Sequence, residues 1–128
     1  MTGNMNITNH DSSDLLLGNN EFETNVITLA AGASVAEGDM LKRDAATLKF
    51  AKVTDTTTET PVAIATAAAS NMAAAAADTP CRPVISGKVR AGKVTVNSVI
   101  ATLAQLDMIR RSGIIPLAVT DLSKKDNQ

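Results

Sequence analysis

"SNMAAAAADTP", residues 70–80, decides whether this chain reads as helical or as a β protein. Alanine favours helix, yet the run from Ala73 to Ala77 is far shorter than an isolated helix needs in water. Asn71 can cap a single turn, and Thr79-Pro80 forces the backbone back to extension. Upstream lies "PVAIATAA" (61–68), a strand opened by Pro61, and downstream "TPCRPVISGKV" (79–89), another strand. The alanines are therefore expected to be a connection with room for one helical turn. They are too short and too far along the chain for an export signal, and "MTGNMNITNHDSSD" (1–14) lacks a basic region followed by an apolar one.

Working outward, the same alternation recurs. "NVITLAAG" (25–32) predicts a strand over 26–29 with Ile27 and Leu29 on one face and Gly32 ending it. Gly38-Asp39 marks a turn, 40–43 a short strand, 44–46 a second turn and 47–53 a strand with Leu48 and Phe50 inward and Lys49 outward. "TDTTTET" (54–60) is a polar loop. "CRPVISGKVRAGKVTV" (81–96) reads as paired strands, its doubled "GKV" suggesting a bend or bulge.

One helix is expected. In "NSVIATLAQLDMIRRSGIIPLAV" (97–119), Asn97 or Ser98 can cap it, and Ser98, Thr102, Gln105 and Ser112 share a polar face. Leu103 and Leu106 turn inward, Asp107 can pair with Arg111, and Gly113 ends the helix before a last strand "IIPLAV". The expectation is a mostly β body, small and barrel- or sandwich-like, with one helix in the C-terminal half. Its divisions are a flexible, disordered N-terminal arm (1–24), the β-rich domain (25–120) and a polar C-terminal tail (121–128). Three leucines in a row within the arm, Leu15 to Leu17, point to docking rather than to a frayed end.

Composition bounds the rest. A chain of 128 residues suits one domain, and aromatics make up 2% of it, Phe22 and Phe50, so the core must be Val, Ile, Leu and Ala. Without aromatic anchors, binding is expected to come from many small contacts, as in an oligomer. The formal net charge of −1 offers no argument for nucleic acid or membrane. Its distribution is uneven: six acids and no Lys or Arg in residues 1–41, then six bases against Asp107 alone in 81–111. These sections could meet within a subunit, across subunits or on a partner.

Catalytic and metal-binding signatures are sparse, and no cofactor or metal is expected. His10, the only histidine, lies in the arm, which leaves the body without a His-based triad or metal cluster. Cys81, the only cysteine, cannot form an internal disulfide, and a reducing compartment is expected. It reads as a buried structural thiol at a strand start, with Arg82 near enough to lower its pKa were it a nucleophile. "SGKVRAGKV" (86–94) lacks the phosphate-loop spacing. Lys88, Arg90 and Lys93 are candidates for a subunit or partner contact. Glu37, Asp39 and Asp44 sit at turns, where acids favour local hydrogen bonds.

The order "VITLAAGASVAEGDMLKRD" (26–44), "TLKFAKV" (47–53), "PVAIATAAASN" (61–71), "AADTPCRPVISGKV" (76–89) and "IRRSGIIPLAV" (109–119) resembles the lambda-type bacteriophage head decoration proteins. The resemblance spans roughly residues 26–119 and lies in the order and spacing of these segments. It implies a non-enzymatic homotrimer on the outer surface of the capsid, made in the host cytoplasm, that binds the major capsid protein after shell expansion. It further implies an arm that orders on the coat, with Ile7, Leu15, Leu16, Leu17 and Phe22 as its candidate contacts. Neither nucleic acid nor membrane is touched on that reading.

Other readings compete. "ASVAEGDML" (33–41) is similar to the VxxGDxL turn of biotinyl and lipoyl carrier domains, but Lys42, Lys88 and Lys93 lack the flanks of a modified lysine. A small enzyme using Cys81 and a structural subunit of some other homo-oligomer are the remaining alternatives.

Overall fold

The computed structural model describes residues 15–72 and 77–118. The strands of the N-terminal half are β1 (Leu16–Phe22), β2 (Asn25–Leu29), β3 (Ser34–Val35), β4 (Met40–Arg43), β5 (Phe50–Lys52) and β6 (Ala63–Ile64). There follow β7 (Ala69–Ser70), β8 (Ala77–Cys81), β9 (Val84–Arg90), β10 (Thr95–Val96), β11 (Val99–Ile100), helix α1 (Leu103–Arg110) and β12 (Ile114–Leu117). The protein is mostly β with a single helix among the described residues. That helix is neither long nor apolar enough to cross a membrane.

An eight-stranded sheet runs β1-β9-β6-β4-β5-β2-β8, with β12 laid parallel along β9, and curls into a half-barrel. Two small sheets, β3-β7 and β10-β11, complete it. One core cluster gathers Met40, Val53, Ile64, Val89, Ile109 and Ile114, and the other Ile27, Leu29, Leu41 and Phe50. Aliphatic side chains thus do the work that an aromatic-poor sequence leaves to them.

Several expectations are corrected. Leu48 does not face inward: it is 48% exposed, in a left-handed conformation at φ 65°. The cause is the Asp44 turn, whose carboxylate accepts from the amides of Ala46 and Thr47 at 2.7 and 3.1 Å. That turn consumes residues 44–49, so β5 starts only at Phe50. The segment after Pro61 is not one strand: β6 covers only Ala63–Ile64, the Ala65 amide still bonds the Asp39 carbonyl at 2.9 Å, and the chain then bends at 66–67 before β7. Residues 79–89 also divide, into β8 on β2 and β9 on β1, β6 and β12. The two "GKV" segments do not pair with each other, although the expected irregularity exists: Gly87 adopts φ 110°, and a Cβ there would meet the Asn19 carbonyl at 2.5 Å. Of the alanine run, Ala77 opens β8 opposite Leu29; residues 73–76 lie outside the described residues.

The helix starts later than expected. Asn97 and Ser98 take φ of 52° and 68°, the left-handed pair of a tight hairpin turn, joining β10 to β11 instead of capping α1. Thr102 is the true N-cap: its hydroxyl accepts from the Gln105 amide at 3.2 Å while the Gln105 side chain accepts from the Thr102 amide at 2.9 Å. Leu103, expected inward, is consequently the first helical residue and 85% exposed. Leu106 packs against the core and Ile109 is buried in it. Arg111 donates to Asp107 at 3.0 Å as expected, and Gly113 leaves the helix end at φ 109°.

The N-terminal boundary also moves. Of the expected arm, residues 15–24 belong to the body: Leu15 is buried and β1 pairs antiparallel with β9. Residues 1–14 lie outside the described residues, as do 119–128, which include the expected tail (121–128).

Candidate functional site

Three features stand out: a buried carboxylate that ties the chain together, the end of β9 where both terminal segments depart, and three exposed apolar side chains close in sequence. The first grows out of "VAEGDML". Gly38 turns at φ 98°, and a Cβ there would sit 2.1 Å from the Lys93 carbonyl oxygen. Only glycine lets the backbone come that close. Asp39 follows, fully buried. Its carboxylate accepts from the Ala36 amide at 2.9 Å, the Ser98 amide at 2.9 Å and the Thr95 hydroxyl. The Gly38 amide donates to Ala65 at 2.8 Å and the Thr95 amide to Gly38 at 2.9 Å. Turn, β6 exit and hairpin are thereby joined. The role is structural; the turn reading of Asp39 holds, with partners distant in sequence that the sequence did not disclose.

The second feature assembles around β9. Leu16 lies opposite Val89 in β1, and Leu117 opposite Arg90 in β12. The Arg90 amide donates to the Leu15 carbonyl at 2.8 Å. Residues 15 and 118, where the two terminal segments attach, therefore flank the same end of β9. Among the expected arm contacts, Leu15 is buried in the core, Leu16 and Phe22 pack against it, and Leu17 is half-buried. Phe22 is also covered by the Arg82 guanidinium, 4.4 Å from the ring centre. These residues fill the protein's own fold; Ile7 lies outside the described residues. Lys88 and Lys93 are exposed and Arg90 half-buried, all on β9 or just beyond it.

Sheet edges differ in how they are guarded. β8 carries Pro80 and β12 carries Pro116, and a proline denies an incoming strand one donor. β1 has no proline; its irregularity comes from Gly18 and Asn19, both at positive φ, where its register on β9 shifts.

The third feature was missed. Val99, Ile100 and Leu103 are 68%, 67% and 85% exposed, three large apolar side chains within five residues. The signal was present: Asn97-Ser98 is a hairpin turn sequence, and Thr102-x-x-Gln105 a capping box that moves Leu103 to the helix start.

Elsewhere, polar groups are locally satisfied. A shallow groove of about 530 Å³ is lined by Thr28, Asp44, Lys49 and Asp78. The Lys49 ammonium at 2.7 Å, then the Thr28 hydroxyl at 2.8 Å, hold the Asp78 carboxyl below its usual range. Cys81 is half-buried at the end of β8, not at a strand start, beside a pocket of about 50 Å³. Burial first and then the charge of Glu23 push its thiol pKa up, away from the lowering by Arg82 that a nucleophile would need. Among the described residues no three of His, Cys, Asp and Glu gather as a metal site. Lys42 lies within β4, and its ammonium pairs with Glu59.

Glu59 organises the 54–60 loop. Its carboxylate takes the Lys42 ammonium and the amides of Thr54 and Asp55 at 2.8 and 3.1 Å. Chiefly through Lys42, then Thr54, its pKa falls from 4.5 to about 2. The folded value lies below the unfolded one, so this stabilisation is complete above about pH 4.5 and is lost as pH falls through about 2. Glu59→Gln is expected to cost about 1–2 kcal/mol at pH 7, discounted because Lys42 is 37% exposed and screened by water. Thermal melts of both proteins should differ at pH 7 and converge near pH 2; a constant difference would exclude the carboxylate as the cause.

No family model matches the chain. No curated protein matches it either.

Proposed function

We propose that this protein decorates the outside of an expanded icosahedral phage head, as a homotrimer bound to the major capsid protein. The observation that carries the reading is where the family-like segments meet. "VAEGDML" is bonded through Gly38 and Asp39 to the exit of "PVAIAT" and to Thr95 beyond "ISGKV". "SGIIPL" lies in parallel register on "SGKVR", Ile114 opposite Gly87 and Leu117 opposite Arg90. Segments whose linear order supplied the resemblance are thus mutually dependent parts of one body, which supports reading them as one inherited unit.

The end of β9 supplies the coat-facing surface on this reading. Both terminal segments attach there, with Lys88, Arg90 and Lys93 on the adjoining strand and turn. Residues 1–14, which include Ile7 and the acids Asp11 and Asp14, then become the segment that reaches the coat. A ligand that binds only the expanded lattice stabilises it by mass action. Modest contacts repeated over the shell sum to a large resistance against packaged-DNA pressure.

The test is co-sedimentation of the purified chain with unexpanded and expanded shells of its phage. Detection is by protein gel, because the chain has no Trp or Tyr. Saturable binding to expanded shells, at least ten times stronger than to unexpanded ones, is expected. Binding to neither form would overturn the proposal.

A further inference from the structure

We infer that the outward face of β9 and β12 is the docking surface of this chain's own residues 1–14. Asp11 and Asp14 sit on Lys88 and Arg90, and Ile7 on Ile115 and Leu117. The inference concerns the isolated chain and goes beyond the decoration reading, which it does not need.

Register puts the four side chains of that face together. β9 and β12 are parallel, with Lys88 beside Ile115 and Arg90 beside Leu117. Successive residues of a strand point to opposite faces. The intervening pairs, Gly87 with Ile114 and Val89 with Pro116, take the inner face, where Val89, Ile114 and Pro116 are buried. Helix α1 packs on that inner side through Leu106 and Ile109. On the outer side Ile115 and Leu117 are half-buried and belong to neither core cluster. Lys88 is exposed and pairs with no carboxylate among the described residues. A basic strip on β9 thus runs beside an aliphatic strip on β12.

Charge and reach select the occupant. Two terminal segments depart beside this face: 1–14 from Leu15, whose carbonyl accepts from the Arg90 amide at 2.8 Å, and 119–128 beyond Leu117. The second sets Asp121 and Asp126 against Lys124 and Lys125, so its side chains bring no net charge. The first carries Asp11 and Asp14 with no Lys or Arg. Residues 11–14 can reach about 14 Å from Leu15. Lys88 lies only two residues back along β9 from Arg90, and β12 lies about 4.8 Å across from it. Ile7 is four residues further out, enough to fold back over Ile115 and Leu117. Tethering supplies a high effective concentration, so exposed ion pairs that are weak singly hold the segment down together.

The test places a nitroxide on Asn6→Cys in a Cys81→Ser background and reads the amide signals of the isotope-labelled full chain by NMR. Amides of Lys88, Ile115 and Leu117 should broaden, and those of β2, four strands along the sheet from β9, should not. Lys88→Glu, at an exposed position, should lower the ratio of docked to undocked segment about fivefold, the equivalent of about 1 kcal/mol. Asp11→Asn combined with Asp14→Asn should act in the same direction. Broadening spread evenly over the sheet, or unchanged by both charge variants, would overturn the inference. So would broadening that passes only from a nitroxide-bearing molecule to a second, isotope-labelled one in a mixture, because the segment of another copy would then be the occupant. Shells enter none of these measurements, so docking and decoration can fail independently.

Discussion

Asp39→Ala is expected to lower the unfolding free energy by about 3–5 kcal/mol, the largest effect of any point substitution proposed for this protein. The carboxylate is fully buried and accepts from Ala36, Thr95 and Ser98. Alanine removes the shared acceptor from the half-buried Ala36 amide and Thr95 hydroxyl and from the Ser98 amide at the rim of the site, each loss costing about 1–3 kcal/mol. Small domains hold only about 5–15 kcal/mol in total, so the melting temperature should fall by about 15 °C or more. Asp39→Asn separates bonding from shape. It can keep an oxygen toward Thr95 and Ser98 but turns an amide donor toward the Ala36 N–H, and should lose about half as much. Equal melting of wild type and Asp39→Ala in calorimetry would mean that the hairpin is held by other contacts.

How much of this was legible depends on how local the cause is. Strand β2 was readable because Ile27 and Leu29 alternate with less buried neighbours, and β4 because the turns at 38–39 and 44–46 bracket it. The Asp107–Arg111 pair and the Gly113 stop were readable because both are set within one helical turn. Leu48 was misread because its alternation with Phe50 was real, but the Asp44 turn had already claimed it. Asn97 and Ser98 were misread because cap and hairpin turn draw on the same residue types, and a capping box that starts four residues after Ser98 decides between them. Leu15 and Phe22 were assigned to an arm because a short apolar cluster in a polar segment cannot stabilise itself. Its stability comes from β9, some seventy residues later, and only the register Leu16 to Val89 and Phe22 to Val84 shows it. The Asp39 network was illegible for the same reason: a turn acid with local duties looks identical to one whose partners are 56 and 59 residues away.

That revised boundary turns a truncation into the second large prediction. Removing residues 1–24 is expected to unfold the domain or cost it about 4–6 kcal/mol, whereas removing residues 1–14 should leave stability within about 1 kcal/mol. The longer deletion takes away β1: buried Leu15, together with Leu16 and Phe22 packed on the core. It uncovers Val84 and Val89, fully buried in the intact chain, and strips one side of β9 of its backbone partners. The shorter deletion keeps all of these contacts, so it isolates the terminal segment from the body. Calorimetry of the two truncations reads the first difference, and shell co-sedimentation of the shorter one reads the second. If the decoration reading holds, the chain lacking 1–14 should remain trimeric and lose at least tenfold in affinity for expanded shells. Full affinity in that chain would move the coat contact onto the body, where exposed Lys88 and Lys93 beside the end of β9 become the surface to alter next. Loss of both trimer and shell binding would instead make residues 1–14 part of the subunit contact.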